Sequence, residues 1–519
     1  MKYKIQLLGL FAVLVVGLCI FIVSCNDLDL EPLDKSTAIS YYKTRQDFDG
    51  AIFAAYSSMQ DMWVVNGETG RGGGDGWGSF WAISLAPSDD VQTNSLASSN
   101  GANILQDATN LDKYNWNTNN KMIYTLYSQI YEGITRANLV IENVGNGKNS
   151  LSADEQKQFI AEAKFIRGFF HLLAAQTWGT PPLVTETPKS IDGLTYSNAT
   201  KEALYASIIQ DFKDAYDGLP ATWGASNTGR VTKWAAKAFE GKAYVWSEKW
   251  NEAVVAFEEV ESKGGYNVLS DYEDVFAWSN ENSQESIFEI QYGGPFSDDN
   301  GWVYDDNHSE NFKASQGIAR TWFMYTNDAF AGSNSLAWYV PTTNLLDLYK
   351  TEPGDKRIAY NFYQAGDEFQ GFAYGNANPV EPYDPTRSET GISIKKYFGS
   401  KNVETAQYKQ NVTFNNERFL RLPEVLLLHA EALLRGGSPK GGSSYQTPDA
   451  CINVSRVRAG LTPLAGATLT DMQAEKRKEL AFETTRFFDM IRWNLGGAKY
   501  LPFPQAEVDR NRGKLIQNP

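Results

Sequence analysis

The sequence predicts a mostly α-helical protein, assembled from α/α helix pairs and interrupted by long loop-rich stretches with a few short strands. Three observations carry this expectation. Apolar residues recur at helical spacing over long blocks, and these blocks come in adjacent pairs. The stretches between them are rich in Gly, Asn, Ser and Asp, yet crowded with Trp, Tyr and Phe.

The scaffold is expected over about 36–65, 121–280 and 418–495. The first clear pair is Lys121–Val144 with Asp154–Thr177, where Phe159, Ala163, Ile166, Phe169, Phe170 and Leu173 mark one face. The run Thr177-Trp178-Gly179-Thr180-Pro181-Pro182 ends it. The second is Lys201–Leu219 with Thr232–Ser247, followed by Trp250–Lys263. Ala235, Ala236, Ala238, Gly241 and Ala243 leave one helix thin enough for close approach. Trp250, Ala253, Val254, Phe257 and Val260 form an apolar stripe on the next. Small residues facing large ones is the packing of tetratricopeptide helix pairs, without strict repetition here. The third pair is Arg421–Arg435, with Pro423 in its first turn and Gly436-Gly437 after its end, and Pro448–Ala459. The last helix is predicted as Thr470–Trp493, opened by Thr470-Asp471-Met472-Gln473 as a capping box.

The loop-rich region is expected over about 66–120 and 281–417. Gln284–Tyr292 and Ile392–Phe398 read as short strands. Structureless stretches of this length are usually functional or disordered. Their aromatic content argues against disorder.

The chain opens with Lys2 and Lys4, then an uncharged run from Leu7 to Val23, then Ser24-Cys25 and the acidic Asn26-Asp27-Leu28-Asp29-Leu30-Glu31. This is an export signal, residues 1–24, with 25–519 as a single mature domain. Ile22-Val23-Ser24-Cys25 resembles a lipobox, which makes Cys25 the lipid attachment site. The alternative is a signal anchor retained as a transmembrane helix, at the short end of the span length of roughly 17–25 residues.

The net charge of −15 becomes −17 without Lys2 and Lys4. It argues against nucleic acid, whose phosphates need Lys and Arg, and more weakly against polyanionic glycans. With Cys19 in the signal and Cys25 lipidated, Cys451 has no partner for a disulfide. Three histidines, His171, His308 and His429, exclude a His-rich metal site.

The C-terminal third carries Arg421-Leu422-Pro423-Glu424-Val425-Leu426-Leu427-Leu428-His429-Ala430-Glu431-Ala432, Cys451-Ile452-Asn453-Val454-Ser455-Arg456-Val457-Arg458-Ala459-Gly460, Arg477-Lys478-Glu479-Leu480-Ala481-Phe482-Glu483 and Arg486-Phe487-Phe488-Asp489-Met490-Ile491-Arg492-Trp493. Leu501-Pro502-Phe503-Pro504-Gln505 and Gln517-Asn518-Pro519 follow. Upstream stand Glu162-Ala163-Lys164-Phe165-Ile166-Arg167-Gly168, Trp178-Gly179-Thr180-Pro181-Pro182 and Pro341-Thr342-Thr343-Asn344-Leu345-Leu346. In this order, over nearly the whole chain, they resemble the SusD/RagB family of Bacteroidetes nutrient-binding lipoproteins. The resemblance implies four tetratricopeptide-like helix pairs beside a variable loop-rich region. It also implies a lipid-anchored position on the outer membrane facing the exterior, and a SusC-like TonB-dependent transporter as partner. It implies a ligand platform built from the early loop and from the segment after the second helical block.

The corresponding residues are Trp77 and Trp81, then Tyr292, Trp302 and Trp322, with Trp338 and Tyr339 weaker candidates; Arg71 and Asp75 stand beside Trp77 in the Gly-rich run Arg71–Gly78, where missing side chains let the indole stand out. A flat indole or phenol covers the apolar C–H face of a sugar ring and sheds its water, while charged groups bind the hydroxyls. The other reading of each ring is that it packs down onto the helices. Glu483–Arg486 and Asp489–Arg492 read as structural ion pairs on one helix, and His429 and His171 as core histidines. Asp89-Asp90 reads as a turn cap. Asp298, Asp299, Asn300, Asp305 and Asp306 read as a solvated loop without the EF-hand spacing, with calcium as the alternative; no other cofactor is expected.

The function expected is capture of a glycan, a neutral one in view of the charge, by a protein that is not an enzyme. Two alternatives stand beside it. A surface glycoside hydrolase needs two carboxyls roughly 5–9.5 Å apart. A helical-repeat protein for peptide or protein partners needs no exposed ring platform.

Overall fold

The computed structural model describes residues 41–63, 79–95, 102–190, 192–292, 339–370, 380–397 and 415–517. Helix α1 (Arg45–Asp61) starts at Thr44, whose side chain and that of Asp47 exchange bonds with each other's backbone N–H groups. It buries Phe48, Ile52, Ala55 and Met59 along one face. Next come α2 (Ser79–Leu85), β1 (Val91–Thr93) and α3 (Ala102–Asp112). These correct the expectation of loop throughout 66–120. They are too short to establish a period, and β1 pairs with a strand almost 250 residues later.

The helical stack follows. Helix α4 (Lys121–Gly145) is capped by Asn120, and α5 (Ala153–Trp178) by Ser152 and Glu155. Then come α6 (Lys201–Gly218), α7 (Lys233–Trp246) and α8 (Trp250–Lys263). Each packs on its predecessor from α4 to α8, and α1 lies on α4. Glycines allow the close approach: an added Cβ would stand 2.1 Å from the Phe170 ring of α5 at Gly133 of α4, and 2.4 Å from the Phe257 ring of α8 at Gly241 of α7.

The region after α8 contains β2 (Ser286–Ile290), β3 (Tyr339–Pro341), α9 (Thr343–Lys350), α10 (Arg357–Asn361), β4 (Phe362–Tyr363), β5 (Glu368–Gln370), β6 (Val380–Pro382), β7 (Ser393–Ile394) and β8 (Glu417–Arg421). Among the described residues the strands form four antiparallel pairs, β1–β3, β2–β8, β4–β7 and β5–β6. The chain then returns to helices α11 (Leu422–Leu434), α12 (Pro448–Arg458), α13 (Leu469–Glu479), α14 (Arg486–Trp493) and α15 (Gln505–Arg510). Helix α11 packs on α8 and α12, joining the C-terminal pair to the stack.

The single helix predicted over Thr470–Trp493 is two helices. Thr468, with Asp471 three residues on, caps the first. The break at 480–485 holds Phe482 and Thr484 at φ 66° and 64°. Carbonyls that a continuous helix would use internally are taken from outside. Arg421 Nη2 donates to Glu479 O at 2.8 Å, Lys396 Nζ to Ala481 O at 2.8 Å and the Tyr397 hydroxyl to Phe482 O at 3.1 Å.

A cluster of buried charges surrounds this break. Arg421 bonds to Glu285, Glu479 and Glu483; Arg357 to Asp355, Glu475 and Glu479; Arg458 to Glu285 and Glu479. Burial pushes the Glu479 carboxyl up, but Arg458, Arg421 and Arg357 outweigh it and hold the group at about 2. Burial brings Lys396 down to about 8 against the pull of Glu483. The expected Glu483–Arg486 pair is absent because both partners are engaged elsewhere, Glu483 with Arg421 and Lys396, Arg486 with Asp89. Asp489 does pair with Arg492, at 2.9 Å. Asp89 and Asp90 accept from Arg486 and Arg477 and so tie the β1 region to α13 and α14.

Both described histidines lie in the core. His429 meets Glu261 at 2.8 Å, and His171 accepts from the Val184 N–H at 3.2 Å. Burial, and then the Arg167 guanidinium, hold the His171 imidazole down at about 3. The sign follows from linkage. Between pH 6.5 and 3 the unfolded chain binds a proton that the folded chain refuses, so this contribution is full above 6.5 and lost as pH falls. The protein is expected to lose about 1 kcal/mol between pH 6.5 and 5.5 from this group alone. Glu479 begins to contribute only below about 4.5, its ordinary value. Chemical denaturation at the two pH values should show the loss in the wild type and not in His171→Gln, whose amide oxygen can still accept from Val184.

Candidate functional site

Residue 63 follows α1 and residue 79 opens α2, so the chain outside the described residues at 64–78 starts and ends at one place. The Phe80 N–H donates to Met62 O at 3.3 Å, closing those ends. The Trp63 ring meets Phe80 and Trp81 edge-on, with centres 4.8 and 5.5 Å apart.

The same place receives the end of β2. Gln60 Nε2 donates to Gln291 O at 2.7 Å, and the Tyr292 hydroxyl to Gln60 O at 3.2 Å. The Tyr292 N–H donates to Asn416 Oδ1 at 2.7 Å, just before β8. Asn416 Nδ2 in turn donates to Glu289 Oε2 at 2.9 Å and Gln291 Oε1 at 3.0 Å. The β2–β8 register, Ile290 opposite Glu417, puts these residues side by side. Tyr397, the last described residue before 398–414, has its ring edge-on to Trp81 at 5.7 Å. The described residues on both sides of 64–78 and 398–414, and those just before 293–338, therefore meet in one cluster of rings and amides.

Two of the predicted ligand residues fall within the described structure, and both are corrected. Trp81 is 1% exposed, enclosed by Trp63 and Tyr397, because it lies on the inner side of α2. Tyr292 is 7% exposed, and its hydroxyl and backbone tie α1 to β2 and β8. Both rings pack inward among the described segments, the other reading that the sequence left for each. Tyr339 is likewise buried, in β3 opposite Thr93. Arg71, Asp75, Trp77, Trp302, Trp322 and Trp338 lie outside the described residues, as do Cys25 and the Asp298–Asp306 loop. Sequence reasoning missed Gln60, Gln291 and Asn416. Nothing in the sequence marks them, because each owes its role to a partner on a distant segment.

Carboxylates at the stems already have partners. Glu281 accepts from the Asn416 N–H at 2.6 Å, and Glu289 has Asn416 and, at 3.6 Å, Arg418. Among the described residues no group of three or more His, Cys, Asp or Glu side chains is placed to hold a metal, and no helix is long and apolar enough to cross a membrane.

Two family models match this chain. One, described as starch-binding and associating with the outer membrane, matches residues 82–245, and the SusD family model matches residues 284–499. A SusD-like protein of Bacteroides ovatus is 26% identical over 398 residues, 72% of this chain and 66% of that protein. SusD-like protein P2 of Formosa agariphila is 24% identical, over 100% of this chain and 96% of its own length. Among solved structures, a laminarin-binding SusD-like protein has a TM-score of 0.72 at 23% identity, covering 92% of this chain and 100% of that one. Surface glycan-binding protein A of Bacteroides thetaiotaomicron, in complex with laminarihexaose, has a TM-score of 0.70 at 20% identity, covering 92% and 100%. These neighbours share the fold.

Proposed function

Because this chain belongs to the SusD/RagB family, we propose that it is a surface glycan-binding lipoprotein, not an enzyme, that passes oligosaccharide to a SusC-like TonB-dependent transporter. The observation that carries the reading is that Trp63, Trp81, Tyr292, Tyr397 and Asn416, which flank three long insertions in the sequence, meet in one cluster. Two of the segments that they flank contain Arg71, Asp75, Trp77, Trp302, Trp322 and Trp338. Rings from separate segments, rooted together, are what a shape-matched sugar platform needs, with polar groups at its rim. The structural neighbours named for laminarin and laminarihexaose support the same cargo class. The net charge of −15 favours a neutral glycan. Cys25 carries the lipid that holds the protein at the outer membrane, facing outward.

The test is retention in native gels containing neutral polysaccharides, laminarin first. The wild type is expected to be retarded, and Trp77→Ala and Trp302→Ala to weaken binding by about tenfold or more, as for loss of an aromatic anchor. Release of reducing sugar would instead assign a hydrolase. Retardation unchanged in both variants would remove these rings from the site. Palmitate should label the wild type and not Cys25→Ala.

A further inference from the structure

Beside the loop stems lies a cavity of about 250 Å³ between the outer face of α1, the turn before α7 and the end of β2. Its apolar wall is Phe53 and Ile290, and its rim carries Ser57, Gln60, Thr228 and Gln291. Phe53 is 51% exposed, unlike the buried aromatics of the stack, and its ring is held in place from below. The Arg230 guanidinium lies 5.2 Å from its centre and 4.9 Å from that of Trp223. Arg230 is itself fixed by Glu162 at 2.7 and 2.9 Å and by Asp49 at 3.2 Å. Its charge is therefore balanced beneath the ring, and the rim offers hydroxyls and amides. The two charged residues of the lining are engaged elsewhere, Arg230 with Glu162 and Asp49 and Glu289 with Asn416 and Arg418, so an exposed ring, hydroxyl and amide edges and a ring-sized hollow are left to match a neutral pyranose. Gln60 and Gln291, bonded to each other at 2.7 Å, belong both to this rim and to the cluster at the loop stems.

We infer that this cavity is a second sugar subsite, which takes a residue of a neutral glycan extending from the loop platform. The inference rests on the glycan-binding reading and deepens it. The subsite adds length dependence: chains that bridge platform and cavity bind more tightly than chains held by the platform alone.

Calorimetric titration of the full mature protein with laminari-oligosaccharides of two to six units tests it. Phe53→Ala removes the exposed ring, and Thr228→Trp fills the hollow from an exposed rim position. Both are expected to lose about tenfold in affinity for the longest oligosaccharide and to match the wild type for the shortest, with unchanged melting temperatures. Trp77→Ala, by contrast, should weaken every length. If both cavity variants bind all lengths as the wild type does, the subsite is overturned while the platform reading stands. If the wild type binds none of these oligosaccharides, the platform reading and the subsite fall together for this glycan class.

Discussion

Arg421→Met is expected to destabilise the protein by about 3–5 kcal/mol, the cost of removing one member of a buried ionic cluster. Arg421 is 1% exposed, and all its donor nitrogens are used. Nε and Nη2 hold Glu483 at 2.7 Å each, Nη1 holds Glu285 at 2.9 Å and Glu479 at 2.6 Å, and Nη2 also reaches Glu479 O at 2.8 Å. Methionine fills most of the volume but leaves three carboxylates short of a cation and a carbonyl short of a donor. Arg421→Lys should recover little, since a point charge cannot serve three carboxylates at once. The double variant Arg421→Met/Glu483→Gln should recover part of the loss. Denaturant midpoints check both. Because the cluster is buried, the difference should change little with added salt. A loss below 1 kcal/mol would mean that water enters the cluster and the charges are solvated.

Gly241→Ala is expected to cost about 1–3 kcal/mol, although alanine is the better helix former. The added methyl would stand 2.4 Å from the Phe257 ring, which is fully buried and close to His429. Either α7 and α8 move apart or Phe257 leaves its rotamer. Phe257→Leu in the same chain makes room, so the double variant should be more stable than the sum of the single losses. Thermal unfolding of the four proteins closes the cycle. Additive losses would place the strain elsewhere.

Helices α4 to α8, α11 and α12 could be read from the sequence to within about two residues, because periodicity and local caps such as Asn120, Ser152, Thr200 and Thr232 define them. The small-against-large contact of Gly241 and Phe257 was legible for the same reason. The break between α13 and α14 was not. Its local sequence suits a helix, and it is opened by Arg421, Lys396 and Tyr397 from far along the chain. Trp81 and Tyr292 were misread because exposure cannot be inferred from a loop-like composition. Each ring sits where distant segments close over it.

Lys396 and Arg357 belong to the insertion-bearing part of the chain, yet their countercharges Glu475, Glu479 and Glu483 belong to the C-terminal helices. Excising the former would take one cation from each of those acids in a dry interior, leaving Arg421, Arg456 and Arg458 to balance them. A minimal helical fragment is therefore a poor target for protein engineering. Grafting a new recognition surface should instead replace only the segments beyond Trp63, Tyr292 and Tyr397, leaving the electrostatic keystone beneath them untouched.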